Sequence, residues 1–140
     1  MIIYTDGSAR PTNPGPGGFG VVVLDDNENL ITTYSKHFDI PVTNNQMELK
    51  AILYTLIRYG RYNPIVYSDS AYAINCLNTW RFGWERNGWL KGDGKEPENL
   101  DLILAYKDLW DKGYRIDLQK VRGHAGNKWN ELADELATRR

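Results

Sequence analysis

Residues 44–70 read NNQMELKAILYTLIRYGRYNPIVYSDS, and the order of the fold turns on them. Thr43 and Asn44 offer a helix N-cap, and Leu49, Ile52, Leu53, Leu56 and Ile57 follow at i, i+3, i+4, i+7 and i+8. That spacing predicts an amphipathic helix ending near Gly60. Pro64 then opens Ile65-Val66-Tyr67-Ser68, a strand apolar on both faces and therefore central in its sheet. A helix that delivers such a strand is a crossover, and a crossover means parallel pairing.

Working outward, residues 2–5 begin a strand that ends in the turn-like Asp6-Gly7-Ser8. A Pro/Gly-rich loop over 11–18 leads to a buried strand at 19–24, and a third strand spans 30–38. These three form an antiparallel meander. Downstream, residues 70–80 read as a helix and 81–97 as a Gly/Trp-rich excursion. A further helix turns Leu100, Ile103, Leu104, Lys107 and Trp110 inward, a fifth strand covers 114–121, and a last helix starts near Asn127. Its stripe is Trp129, Leu132, Ala133, Leu136 and Ala137. The order is that of an α/β protein with a mixed sheet. In a meander strands 1 and 3 run parallel, so strands 1, 3, 4 and 5 all finish at one edge, where open α/β sheets bind ligands.

Composition narrows the class. The chain has 140 residues, 41% of them hydrophobic, with 18 acidic against 17 basic side chains and a net charge of −1. This suits a single globular domain over 1–140, with no repeat or linker and no separate nucleic-acid-binding domain. No apolar run approaches the ~20 residues of a membrane span, and no signal segment opens the chain. Cys76 is the only cysteine, which excludes an internal disulfide and a zinc thiolate cluster and points to a reducing cytoplasm. A near-neutral chain does not advertise nucleic-acid binding, so any such role rests on local charge.

Four acidic residues fall at or near the shared edge: Asp6, Glu48, Asp69 and Asp134. Each has a bland reading alone. Asp6-Gly7 could be a turn pair, Glu48 could complement its helix dipole from the first turn, Asp69 could cap the helix from Ser70, and Asp134 could be solvated. Together they read differently. Asp6 and Asp69 end neighbouring strands, while Glu48 and Asp134 flank core-facing stripes. Converging carboxylates repel unless a cation neutralises them, and oxygen donors without His or Cys favour Mg²⁺ or Mn²⁺. Such a set can hold two ions, one activating water and one stabilising the leaving oxygen in phosphoryl displacement. His124 follows strand 5 between Gly123 and Gly126. It reads either as a loop histidine with a satisfied hydrogen bond or as a proton shuttle at the metal edge.

The chain resembles a type 1 ribonuclease H. The resemblance is carried by TDGS at 5–8, NPGPGGFG at 13–20, TNNQMEL at 43–49, YSDS at 67–70 and GHAGNKWNELADELA at 123–137. It implies a ribonuclease H-like fold, a five-stranded mixed sheet in order 3-2-1-4-5 flanked by helices. It also implies metal-dependent endonucleolytic cleavage of the RNA strand of an RNA/DNA hybrid, leaving 5′-phosphate and 3′-hydroxyl ends. The metal ligands fall on Asp6, Glu48, Asp69 and Asp134, with two Mg²⁺ ions when substrate is bound and Mn²⁺ able to substitute. His124 matches a histidine that assists catalysis and product release. Asn13, Asn44 and Glu48, with the backbone near Gly7 and Ser8, match contacts to 2′-hydroxyls and the minor groove. Thr43, Asn45, Asn99 and Trp80 match contacts to the DNA strand or its phosphate. A monomer with no obligate protein partner is the expectation.

The sequence departs from the family pattern twice. One extra residue lies between Asp6 and Asn13, which puts the contact of Asn13 in question, and Ala71 stands where a glutamine is common. The GxGxxG match at 15–20 opens a valine strand rather than a helix, so it is not a dinucleotide site; its glycines shape a bulge and permit close backbone approach. Residues 81–95 carry a local charge of +2 interleaved with Trp84 and Trp89, beside Trp80, and 112–128 carry +4. Aromatic rings beside cations suit a nucleic acid, and they equally suit anchoring of the excursion to the body. Two other classes compete: a catalytically silent hybrid- or nucleic-acid-binding module of the same fold, which loss of one carboxylate would favour, and a carbohydrate-active enzyme with tryptophan platforms.

Overall fold

The computed structural model describes residues 1–121 and 127–139; His124 lies outside the described residues. Strands β1 (Ile2–Ala9), β2 (Gly15–Leu24) and β3 (Leu30–Val42) form the meander, and α1 (Asn44–Tyr59) crosses over to β4 (Ile65–Ser68). Helix α2 (Ala71–Asn75) runs through a π-turn (Cys76–Trp80) into α3 (Arg81–Arg86). Then come α4 (Leu100–Asp111), β5 (Asp117–Lys120) and α5 (Lys128–Thr138). The sheet order is β3-β2-β1-β4-β5. β1 pairs antiparallel with β2 and parallel with β4, and β4 pairs parallel with β5. Among the described residues no helix is long and apolar enough to cross a membrane.

Both faces of the sheet are covered, which explains the unbroken valine run of β2. Val21 and Val23 join Ile3, Ile52, Leu56, Ile103 and Tyr106 in one core beneath α1 and α4. Val22 and Leu24 join Tyr4, Val121 and Ala133 in a second core beneath α5. Alternate side chains of one strand thus feed two layers. Helix α1 starts where expected: the Thr43 hydroxyl accepts from Gln46 N–H at 3.0 Å and the Gln46 side chain reaches back to Thr43 N–H, a capping box.

The structure corrects several boundaries. β1 does not turn at Asp6-Gly7-Ser8 but continues to Ala9, because Asp6 and Gly7 pair with Gly20 and Phe19 of β2. β2 begins at Gly15 with a register shift between Gly15 and Gly17, the bulge the glycines suggested. β3 runs on to Val42, and β5 is shorter than the 114–121 reading. The helix from Ser70 does not stop at Trp80 either. In the π-turn the Arg81 N–H bonds Cys76 O rather than Leu77 O, and the Arg81 Nε takes the Leu77 carbonyl at 2.6 Å. Its buried guanidinium lies against Phe82, Tyr106 and Trp110. An arginine that satisfies its own helix this way leaves no mark in an apolar periodicity, and Gly83 makes the segment look like loop.

Candidate active site

The site is assembled by register. Tyr4 of β1 sits opposite Tyr67 of β4, so two residues further on Asp6 comes level with Asp69 at the ends of the strands. Gly7 then decides how close α1 can come. A Cβ at Gly7 would collide with the backbone of Met47 and Glu48, so its absence lets the second turn of α1 rest on β1. Glu48 is thereby carried to the edge, where its Oε1 accepts from Gly7 N–H at 2.8 Å and its Oε2 from the Ser68 hydroxyl at 3.3 Å. Carboxylate oxygens of Asp6, Glu48 and Asp69 all lie within 4.8 Å of one another.

Three bland readings fail here. Asp6-Gly7 lies within a strand, Glu48 is buried in the second turn of its helix, and the helix cap beside Asp69 is Ser70, whose hydroxyl accepts from Ala73 N–H at 3.1 Å. Asp69 is therefore exposed at the edge without a capping duty.

The fourth carboxylate arrives differently. Gly18 and Gly20 let α5 pack its backbone on β2, since a Cβ at Gly20 would stand 2.5 Å from Ala133 O and one at Gly18 2.8 Å from Ala137 O. Asn127 caps α5, and His37 Nε2 donates to Leu136 O at 2.9 Å. Asp134 faces the same open cleft of about 380 Å³ that Asp6, Glu48 and Asp69 line. It lies outside the close triad, and its Oδ1 meets Arg10 Nη2 at 3.5 Å.

Burial sets the electrostatics. Desolvation, then the hydrogen bond and negative charge of Glu48, push the Asp6 carboxyl far above the usual carboxylate range, with Asp134 and Asp69 adding to it. Burial also pushes Glu48 up, to about 7, although its hydrogen bonds with Asp6, Gly7 N–H and Ser68 pull the other way. Three carboxylates this close repel one another, and a set of hard oxygen donors within 4.8 Å fits a divalent ion such as Mg²⁺ or Mn²⁺. Asp6, Glu48 and Asp69 would hold it, with Asp134 at hand for a second.

The remaining candidates divide into two groups. Around the cleft, Asn13 Oδ1 accepts from Asn44 N–H at 3.0 Å, the Asn44 side chain accepts from Ala9 N–H at 2.6 Å, and Asn44, Asn45, Gly7 and Ser8 line the wall. Thr43 is engaged in its capping box. The Ser8 hydroxyl is buried without a hydrogen-bond partner among the described residues. Trp80 and Asn99 form a separate group through Tyr72: Asn99 Nδ2 donates to the Tyr72 hydroxyl at 3.2 Å, and Trp80 meets the Tyr72 ring edge-on. Trp80 is exposed, whereas Trp84 and Trp89 pack against the core and act as anchors. Part of the basic 112–128 stretch is also engaged, Lys112 with Asp108 and Arg115 on the Trp110 ring. Sequence reasoning missed Ser68 and Arg10. Ser68 stands inside the YSDS motif, so its signal was present; Arg10 lies in the loop just after β1.

The RNase H family model matches residues 1–140. A Ribonuclease H of Syntrophomonas wolfei is 39% identical, aligned over 98% of this chain and 92% of its own. One from Caldanaerobacter subterraneus is 41% identical, over 97% and 87% respectively. Among solved structures, LC11-RNase H1 in complex with RNA/DNA hybrid has a TM-score of 0.70 at 26% identity, covering 97% of this chain and 92% of its own. LC9-RNase H1, a type 1 RNase H with the type 2 active-site motif, has a TM-score of 0.79 at 26% identity, covering 97% and 69%.

Proposed function

Because the chain belongs to the RNase H family, we propose that it cuts the RNA strand of RNA/DNA hybrids by two-metal-ion chemistry. The products of this reading are 5′-phosphate and 3′-hydroxyl ends, and one domain over 1–140 carries the activity. As a ribonuclease H the protein is a hydrolase. The observation that carries the reading is the three-carboxylate cluster at the strand edge, two of its members buried.

Divalent ions bound there would supply an activated water and neutralise charge on the leaving oxygen. The chain's own residues do the rest. Asp6 and Glu48 would be among the residues that hold the ions, and Gly7 N–H and Ser68 hold the Glu48 carboxylate in place. Asn44, Asn45 and the backbone of Gly7 and Ser8 line the wall along which a 2′-hydroxyl would be sensed. Trp80 and Asn99 would receive the DNA strand, and His124 would move protons and aid release. A hybrid-bound relative at 26% identity supports the choice of substrate. The described lining of the cleft comes from one copy, which is compatible with a monomer that cuts without a protein partner, and a reducing cytoplasm suits the buried Cys76 thiol.

The test uses labelled RNA/DNA, RNA/RNA and DNA/DNA duplexes with Mg²⁺ or EDTA, alongside Asp69→Asn. Cutting of the hybrid alone, abolished by chelator and by the variant, is the expected result. Hybrid binding without cutting would instead select the silent-module reading.

A further inference from the structure

The four acidic side chains of the cleft do not share one means of charge balance. Glu48 is met by the Gly7 N–H and the Ser68 hydroxyl, whereas Asp134 is met by a cation of the chain itself, the Arg10 guanidinium at 3.5 Å. Arg10 comes from the β1–β2 loop. Its backbone N–H bonds Pro16 O at 2.9 Å, which closes the loop beneath it, and its side chain lines the cleft with the carboxylates. The pair is about half exposed on both sides, so it can open without unfolding anything.

We infer that Arg10 is the resident counter-cation of Asp134, a side chain that a divalent ion entering the Asp134 side of the cleft has to displace. The inference rests on the metal-binding reading above. It follows from the arithmetic of charge: an oxygen facing a guanidinium cannot give its full field to a second cation, and the second cation also meets the repulsion of the first. Arg10 thereby raises the divalent-ion concentration that the free protein needs and keeps Asp134 tethered over the cleft until the ion arrives. Exposed ion pairs of this kind shift a competing equilibrium by up to about fivefold.

The experiment is calorimetric titration of the nucleic-acid-free protein with Mg²⁺ alone, at low ionic strength. It compares wild type with Arg10→Gln, each also in an Asp134→Asn background. Expected is Mg²⁺ binding up to about fivefold tighter in Arg10→Gln, with at least half of that gain lost when Asp134 is already Asn. Unchanged or weaker binding in Arg10→Gln would overturn the inference and leave the metal reading standing. An equal gain in both backgrounds would also overturn it, since Arg10 would then act as a diffuse charge rather than through Asp134. If wild type takes up no Mg²⁺ at all, the metal reading and this inference fall together. The Mg²⁺-induced rise in Tm, read for the same four proteins, checks that each is folded.

Discussion

Glu48 and Asp134 are both helix-borne carboxylates in one cleft, yet the chain holds them in opposite ways. Glu48 is buried and clamped by a backbone N–H and a hydroxyl. Asp134 is half exposed on a helix that begins just beyond residues 122–126 and meets the exposed Arg10 guanidinium. The buried side gathers the repulsion that raises the Asp6 carboxyl, and Asp134 adds to it from the open side. One half of the cleft is thus preformed by the core, and the other stands open to solvent.

The sharpest way to break this contrast is to remove charge from the rigid side. Asp6→Asn should lower hybrid cleavage by ~10³-fold, the scale of losing a preorganised electrostatic group, in a gel assay with Mg²⁺. Retained activity would mean the buried cluster is not the seat of the chemistry.

The same substitution should stabilise the metal-free protein at neutral pH by roughly 1–3 kcal/mol, because it deletes a buried charge site. The sign follows from the raised carboxyl of Asp6. The folded state keeps a proton that the unfolded chain sheds above ~4, so its stabilisation is complete in acid and drains as pH rises. In EDTA, Tm of wild type should fall from pH 5 to 8 more steeply than Tm of Asp6→Asn. Parallel curves would contradict the stored repulsion.

Ser68→Ala sharpens the contrast by loosening Glu48 without touching its charge. It removes one donor to Glu48 and strips the Ser70 N–H of its acceptor at 3.1 Å, for a loss of about 1–3 kcal/mol in urea denaturation. Activity should fall about tenfold, by loss of one positioning hydrogen bond. Asp134→Asn, on the open side, should be the mildest of the three. We expect less than about 1 kcal/mol change in stability and a smaller loss of activity than Asp6→Asn. A loss equal to that of Asp6→Asn would erase the distinction between the two sides.

Much of this was readable from residues alone because it rests on local pattern. The capped stripe over 44–60 and the doubly apolar β4 determine a crossover, and the crossover determines which edge collects Asp6 and Asp69. The boundaries that were not readable depend on partners distant in sequence. Asp6-Gly7-Ser8 looks like a turn until Phe19 and Gly20 pair with it, and residues 81–86 look like loop until α4 supplies Tyr106 and Trp110 for Arg81 to lie against.

The sequence by itself determined the family, the strand order and the identity of the acidic residues, since periodicity and motif spacing are properties of neighbours along the chain. Only the tertiary structure decided that Glu48 is locked while Asp134 is tethered, and that Ser68 and Arg10 are what hold them. Burial and charge pairing are sums over atoms brought together from far apart in the chain, and no local spacing encodes such a sum.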